Sequence, residues 1–403
     1  MLAMRAHLSG GKISSAVWFI LLHSSLFGLA LSIADILFNF YLVSLGYTVA
    51  TAGLFSTIGR AAGMLMGIPL GIMIDRIGAQ RSLLIGVAIY GLGWAILLQF
   101  TSLWIMIPIQ FLIGAAFILT STAVTPLLAG VTNEAQRATI FGWNASATMA
   151  VGLGGSVLGG VLPSLAAGMI EVGPQDTAAY RMALMVVVGL CVIAMLPILS
   201  RMQPVAHERP HGAAPLPTSR LPMARLGRFS IAGLLLGMGG GAFLPFQNLF
   251  FRDVFLLSDV AVGLVLAWGA MGMGVGGMLG GPMAGWLGLQ RAATITRMGA
   301  VFSMLLMLTP SLIIASIGFF WRGLSIAASY PLNDALIMRA TPLRQRGIAA
   351  SMMSVFWSGG WAAAAWTSGV VLEHWGFTPV IIFAAVAYFG SALAIATLRG
   401  VEG

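Results

Sequence analysis

Charge is the scarcest ingredient of this 403-residue chain. Asp, Glu, Lys and Arg make up 8% of it, and 11 of its residues are acidic. A water-soluble domain is about a quarter charged, so an ordinary solvated surface is excluded. Cysteine is nearly absent. The single Cys191 stands inside an apolar run and rules out an intrachain disulfide framework. No G-x-x-x-x-G-K-[ST] loop is there to cradle ATP phosphates, and the five histidines and one cysteine show no metal-ligand spacing. The chain lacks both a catalytic constellation and a polar stretch long enough for a soluble domain. It is therefore expected to be no enzyme and to use no metal or other cofactor, so energy for any work would come from an ion gradient.

What fills the chain instead is apolar: 59% hydrophobic residues and a mean hydropathy of +0.97. A membrane span needs about 20 such residues in a row. Twelve runs qualify, near 14–42, 49–74, 82–100, 103–131, 138–163, 180–200, 229–251, 259–287, 292–309, 311–338, 347–372 and 376–398. They predict an all-α integral membrane protein of twelve transmembrane helices in two six-helix bundles. The net charge of +9 does not point to nucleic acid, because the basic residues are scattered through short connections rather than gathered on one face. Sixteen of the twenty Lys and Arg residues fall on one side, Arg76, Arg81, Arg137, Arg291, Arg297 and Arg346 among them. Arg181 and Arg252 fall on the other side, and Arg60 and Arg322 lie within spans. By the positive-inside rule both termini are expected in the cytoplasm, the first twelve residues as a retained tail. The proline- and arginine-rich stretch 201–228 reads as a cytoplasmic linker between an N-terminal bundle, 1–200, and a C-terminal bundle, 229–403.

The two halves repeat. Gly71-x-Met73-x-x-x-x-Gly78-x-Gln80-Arg81 returns as Gly281-x-Met283-x-x-x-x-Gly288-x-Gln290-Arg291. Asn39 returns as Asn248, Gly53-Leu54 as Gly263-Leu264, Gly114 as Gly323, and Thr132, Gln136 and Arg137 as Thr341, Gln345 and Arg346. The offset stays at 209 or 210 throughout, which marks an internal repeat. The first copy, G-x-x-x-D-R-x-G-x-x-R from Gly71 to Arg81, is read as a short charged loop at one membrane face. In it Asp75 can cap a helix start and pair with a cation. This motif resembles the loop between helices 2 and 3 of the major facilitator superfamily of secondary transporters, and the six-plus-six plan resembles that fold over the full chain. The resemblance implies alternating access in a prokaryotic inner membrane. It also implies a cavity lined by spans 1, 4, 7 and 10 and flanked by spans 2, 5, 8 and 11. The sequence departs from the family in places. The second loop copy has Gly285 and Trp286 in place of Asp75 and Arg76, and the family's arginine in span 4 is missing, with Gln110 the nearest polar residue. In span 5, Gly152, Gly154, Gly155, Ser156, Gly159 and Gly160 are similar to the G-P-x-x-G-G signature of the superfamily's antiporters, with Ser156 in the proline's place. Close helix packing would use the same residues.

A charge in hydrocarbon costs about 2.5–3.5 kcal/mol, so the few present must be paired or face water. Asp35 in span 1 and Arg60 in span 2 lie at similar depths on consecutive helices and are read as a proton-coupling pair, with a permanent structural ion pair as the alternative. Arg322 in span 10 has no sequence-local partner, which leaves an anionic substrate group or backbone carbonyls and water to satisfy it. Asn39, Gln110, Gln247, Asn248, Trp357 and Trp361 join it as candidate cavity residues, with Phe243 and Phe246 extending the aromatic wall. Gly71, Asp75, Arg76, Gly78, Arg81 and Asp334 are candidates for a cytoplasmic gate, Asp334 pairing with Arg339 or Arg346. His23 reads as a packing residue. Together these residues predict a proton-coupled exporter of small amphipathic compounds. An uptake symporter for a small polar or anionic solute and a non-cycling transporter-like receptor or assembly factor are the rivals. Expected partners are the lipid bilayer, a small-molecule substrate and protons, with no nucleic acid and the chain a monomer.

Overall fold

Runs of 18 or more residues without a stable break can satisfy their backbone in an apolar surrounding only as helices. The computed structural model describes residues 13–201, 223–340 and 346–398, and the described residues contain helices and no strand. The long helices are α1 (Ser15–Ser44), α2 (Val49–Ile77), α3 (Ala79–Leu97), α4 (Leu103–Gly130), α5 (Glu134–Ile170), α6 (Thr177–Arg201) and α7 (Met223–Phe243). They continue as α8 (Asp259–Leu287), α9 (Leu289–Leu306), α10 (Leu312–Ala340), α11 (Arg346–Trp375) and α12 (Phe377–Ala396). Most of the expected linker 201–228, the N-terminal tail and residues 341–345 of the repeat lie outside the described residues.

Ten of these twelve are long and apolar enough to cross a membrane. The other two are α9, which carries Arg291 and Arg297 in 18 residues, and α11, whose apolar content is diluted by Ser, Thr and Gly. Large apolar side chains stand fully open, among them Ile68, Trp104, Met278 and Trp286, as expected of surfaces facing lipid rather than water. Pro245 has no N–H to give, and there α7 ends in a 3-10 turn, Leu244–Phe246, before a short helix Gln247–Phe255.

The charged loop expected at Gly71–Arg81 is one residue long. α2 continues through Gly71, Asp75 and Arg76 to Ile77, and α3 starts at Ala79. The turn rests on Gly78 at φ 91°, and its repeat partner Gly288 makes the same turn at φ 80°, a region that a side chain disfavours. Gly78 also takes the N-cap position of α3, where it has no side chain to cap with. The flanking glutamine works alike in both copies. Gln80 Nε2 donates to the Ile198 carbonyl in α6 at 3.3 Å, and Gln290 Nε2 donates to Ile395, Ala396 and Leu398 at 2.9–3.1 Å, at the end of α12.

The chain divides into two compact units, Met1–Phe38 with Leu65–His211 and Asn39–Met64 with Gly212–Gly403. In the first, α3 packs on α4 and α6, and α5 on α6. Two glycines of α5 pack closely against α1: a Cβ at Gly155 would lie 2.5 Å from Ser32 Cβ, and one at Gly159 3.3 Å from Ile36, while Gly154 has nothing within 4 Å. His23 is fully buried and its Nδ1 meets the Ala194 carbonyl of α6 at 2.8 Å, as a packing histidine would. In the second unit α8 packs on α10, α7 on α11 and α12, and α9 on α10 and α12.

Candidate functional site

The second unit holds both the end of α1 and the first half of α2, and these lie against α7 and α11. Asn39 Nδ2 donates to Asn248 Oδ1 at 3.1 Å and to the Pro245 carbonyl. Asn39 and Asn248 are equivalent in the repeat, and equivalent positions touch only where the repeat's axis passes. Next to them the Arg252 guanidinium lies 4.4 Å from the Phe40 ring centroid while Nε donates to Asp253 at 3.0 Å. Along α2 small residues step up α11 in reverse order. Ala50 meets Gly369, a Cβ on Gly53 would stand 2.5 Å from the Ala365 carbonyl oxygen, and Thr57 Oγ1 donates to the Ala362 carbonyl at 2.7 Å. Side chains of this size let two helix backbones come into contact.

One turn further along α2 is Arg60, half-buried, with its guanidinium carbon 4.4 Å from the Trp361 ring centroid and 5.2 Å from that of Trp357. The two indoles are themselves 5.3 Å apart. α7 fixes where they stand: a Cβ at Gly237 would collide with the Trp357 carbonyl oxygen, and one at Gly241 with that of Trp361. A guanidinium over an indole face gains about 0.5–2 kcal/mol, depending on how dry the site is. Arg60, Trp357 and Trp361, chosen separately as candidates, therefore form one group.

Arg322 of α10 is 3% exposed. Its Nη2 donates to the Tyr388 hydroxyl of α12 at 2.9 Å, and its Nε, also buried, has no acceptor among the described residues. No carboxylate stands within ion-pair distance of it among the described residues. The Trp361 indole Nε1 is a second buried donor left without an acceptor. Tyr330, one face along α10 and well exposed, lies within electrostatic reach of Arg322, Arg60 and Tyr388. Adjacent glycines of α7 seat the two rings: a Cβ at Gly239 would strike Tyr388, and one at Gly240 would strike Trp361. The result is a cluster of two guanidiniums, two phenols and two indoles around the C-terminal end of α7, with more donors than acceptors.

Asp35 is exposed on α1 within electrostatic reach of Tyr90, and belongs to the first unit while Arg60 belongs to the second. Gln110 is half-buried in α4, and Gln247 half-buried at the start of the short helix after α7. Asp75, Arg76 and Arg81 are exposed at the Gly78 turn. Asp334 is exposed on α10 and makes no ion pair with Arg339; the side chain of Arg346 lies outside the described residues. Phe243 and Phe246 are fully buried and belong to the core, not to an aromatic wall: Phe243 packs edge-on to Phe250, and Phe246 lies against Gly53 of α2. Among the described residues no three His, Cys, Asp or Glu side chains gather as metal ligands would.

Sequence reasoning misplaced one charge. Arg297, counted with the cytoplasmic loops, is 0% exposed inside α9. Its Nε donates to Ser391 Oγ at 3.1 Å, Nη1 to the Ala293 carbonyl at 2.9 Å and Nη2 to Asn333 Oδ1 at 2.9 Å. Ser391 passes the bond on to the Ala232 carbonyl at 2.8 Å, and Asn333 Nδ2 reaches Met353 sulfur at 3.1 Å. One guanidinium so ties together α7, α9, α10, α11 and α12. The available signal was its position well inside the ninth apolar run.

A family model described as Major Facilitator Superfamily matches residues 18–326. No curated protein matches the chain by sequence. Solved structures match its fold. The nucleoside transporter NupG is 15% identical with a TM-score of 0.76, over 95% of this chain and all of that one. A D-xylose–proton symporter is 15% identical with a TM-score of 0.73, over 96% of this chain and 98% of that one. A bacterial homologue of the human lysosomal transporter Spinster is 14% identical with a TM-score of 0.71, over 96% and 98%. At such identities the likeness is one of fold.

Proposed function

The chain belongs to the major facilitator superfamily, and from that premise we propose a proton-coupled exporter of small amphipathic compounds working by alternating access. The observation that carries the substrate reading is the Arg60–Trp361–Trp357 group, which offers an apolar aromatic face and a fixed positive charge within one side chain's length. Asp35 is the proton site and Arg60 its alternating partner. The carboxylate exchanges the guanidinium for a proton as the pathway opens to either side, which links proton movement to substrate movement. The Asn39–Asn248 pair and the α2–α11 seam are the outer gate, and the Gly78 turn with Asp75 is the cytoplasmic one. Both termini face the cytoplasm of a prokaryote, a placement that rests on the basic residues at the Gly78 and Gly288 turns.

The test is flux in proteoliposomes with an imposed pH gradient, using both membrane orientations. Asp35→Asn mimics the protonated carboxyl at constant shape. It is expected to abolish gradient-driven accumulation and to spare exchange of substrate across the membrane. Uphill transport by Asp35→Asn at the normal rate would move the proton site elsewhere, with Asp334 next in line. Accumulation on the proton-source side marks the exporter. Co-movement with protons marks an uptake symporter, a second reading favoured by Arg322, which has no carboxylate partner among the described residues. No flux in either direction marks the non-cycling receptor.

A further inference from the structure

A buried guanidinium is costly unless its donors find acceptors, and the second unit holds two buried arginines that differ on this point. Each nitrogen of Arg297 donates to an oxygen of the protein. Arg322, also buried at 3% exposure, has among the described residues one hydrogen bond, to a neutral phenol, no carboxylate within ion-pair distance and an unused Nε–H. On α11 the Trp361 Nε1–H likewise has no acceptor among the described residues, and the Arg60 guanidinium lies over the Trp361 and Trp357 rings. The Tyr388 hydroxyl accepts from Arg322, so its own proton is available to a further acceptor. Every group in this cluster with spare hydrogen-bonding capacity has a proton to give, and Arg322 brings its positive charge with no carboxylate beside it among the described residues. A site with surplus donors and surplus positive charge is complementary to an anion.

We propose that this cluster is the head-group site for the transported substrate, and that the substrate is a small organic anion of the aromatic carboxylate class. This deepens the transporter reading above and rests on it. The carboxylate bridges Nε and Nη2 of Arg322, the edge whose geometry matches two carboxylate oxygens, and accepts from the Tyr388 hydroxyl. The ring lies toward Trp357 and Tyr330, the half-buried and exposed members of the group. Arg60 contributes charge from its place on the indoles and holds the entry side positive. A neutral or cationic compound of the same shape leaves the Arg322 charge uncompensated and is rejected by it.

Binding of benzoate, phenylacetate and 2-naphthoate to the full-length protein in detergent, each against its own amide, tests this through quenching of tryptophan fluorescence. At least one acid is expected to bind saturably and about tenfold or more tighter than its amide, as a charge-assisted bidentate pair implies. Arg322→Gln is expected to erase that preference while the protein stays folded by thermal melting. Tyr388→Phe is expected to weaken the acid alone, by about three- to tenfold. Equal binding of all three acids and their amides would overturn the assignment, and so would an acid preference that survives Arg322→Gln. Flux measurements with the same compounds separate the two readings. Acids that bind through Arg322 yet never cross the bilayer keep the anion site and sink the transporter reading. Amides that cross while the acids do not sink the anion site and keep the transporter.

Discussion

Arg297 and Arg322 lie in the same unit, on adjacent packed helices, both shut away from solvent and both without a carboxylate partner among the described residues. One is tied to Ser391, Ala293 and Asn333 by three nitrogens; the other holds a single phenol. Burial alone therefore says little about what a membrane arginine is for. The count of satisfied donors separates them. A guanidinium with every nitrogen bonded to the protein is a fastener, and one that keeps a nitrogen in reserve is equipped to meet something that arrives later. The same contrast holds for the two glutamines of the repeat and the two asparagines. Gln80 and Gln290 each close on the last helix of their own half, whereas Asn39 and Asn248 close on one another.

The sharpest way to break the comparison is to remove each arginine in turn. Arg297→Ala leaves a void and strands Asn333 Oδ1, so a loss of about 3–5 kcal/mol is expected, read as a lower melting temperature and a poor yield of monodisperse protein. Arg322→Met keeps the volume and removes an uncompensated charge. Its stability is expected to stay level or rise by about 1–4 kcal/mol, as for other buried ions replaced by apolar groups. Equal destabilisation by both would erase the distinction between fastener and site.

A second test compares two glycines of α2. At Gly53 any Cβ meets the Ala365 carbonyl, whereas around Gly71 nothing stands within 4 Å. Gly53→Leu should wedge α2 from α11 at a cost of about 1–3 kcal/mol and raise the labelling of a cysteine introduced at Thr51. Gly71→Ala should leave labelling unchanged and stability level or up to about 1 kcal/mol higher. Unchanged labelling in Gly53→Leu would mean that the seam is no gate.

The smallest effect concerns the two single-glycine turns. They share geometry at Gly78 and Gly288 but not charge, since Asp75 corresponds to Gly285 and Arg76 to Trp286. Asp75→Asn is expected to change stability by less than about 0.5 kcal/mol while shifting accessibility toward the cytoplasmic mouth. If accessibility and transport both stay as they were, the turn is architecture in both halves.

The reading of the apolar runs placed most long helices within a few residues of their ends, and it located the repeat whose glycines, glutamines and asparagines then took matching places. These features are local or periodic. The cost of exposing backbone to lipid forces helix wherever about 20 apolar residues run on, and a positive φ forces glycine wherever two helices must turn in one residue. The Gly71–Arg81 stretch misled for the same reason, because a charge cluster reads as a loop although a helix end tolerates it equally well.

The candidate site was legible residue by residue but not as a site. Arg60 and Trp361 are 301 positions apart, Arg322 and Tyr388 are 66 apart, and Arg297 finds its acceptors 94 and 36 positions away. Periodicity states that a residue lies on a helix, but which neighbour covers it depends on how the helices pack. Here glycines at 237, 239, 240 and 241 bring α7 against α11 and α12. By itself the sequence determined a helical membrane protein, its repeat and the few polar groups its interior could hold. Tertiary structure alone decided which of those groups satisfy one another and which keep a donor unspent, because hydrogen-bond partners in a bundle are chosen by distance across helices and not along the chain.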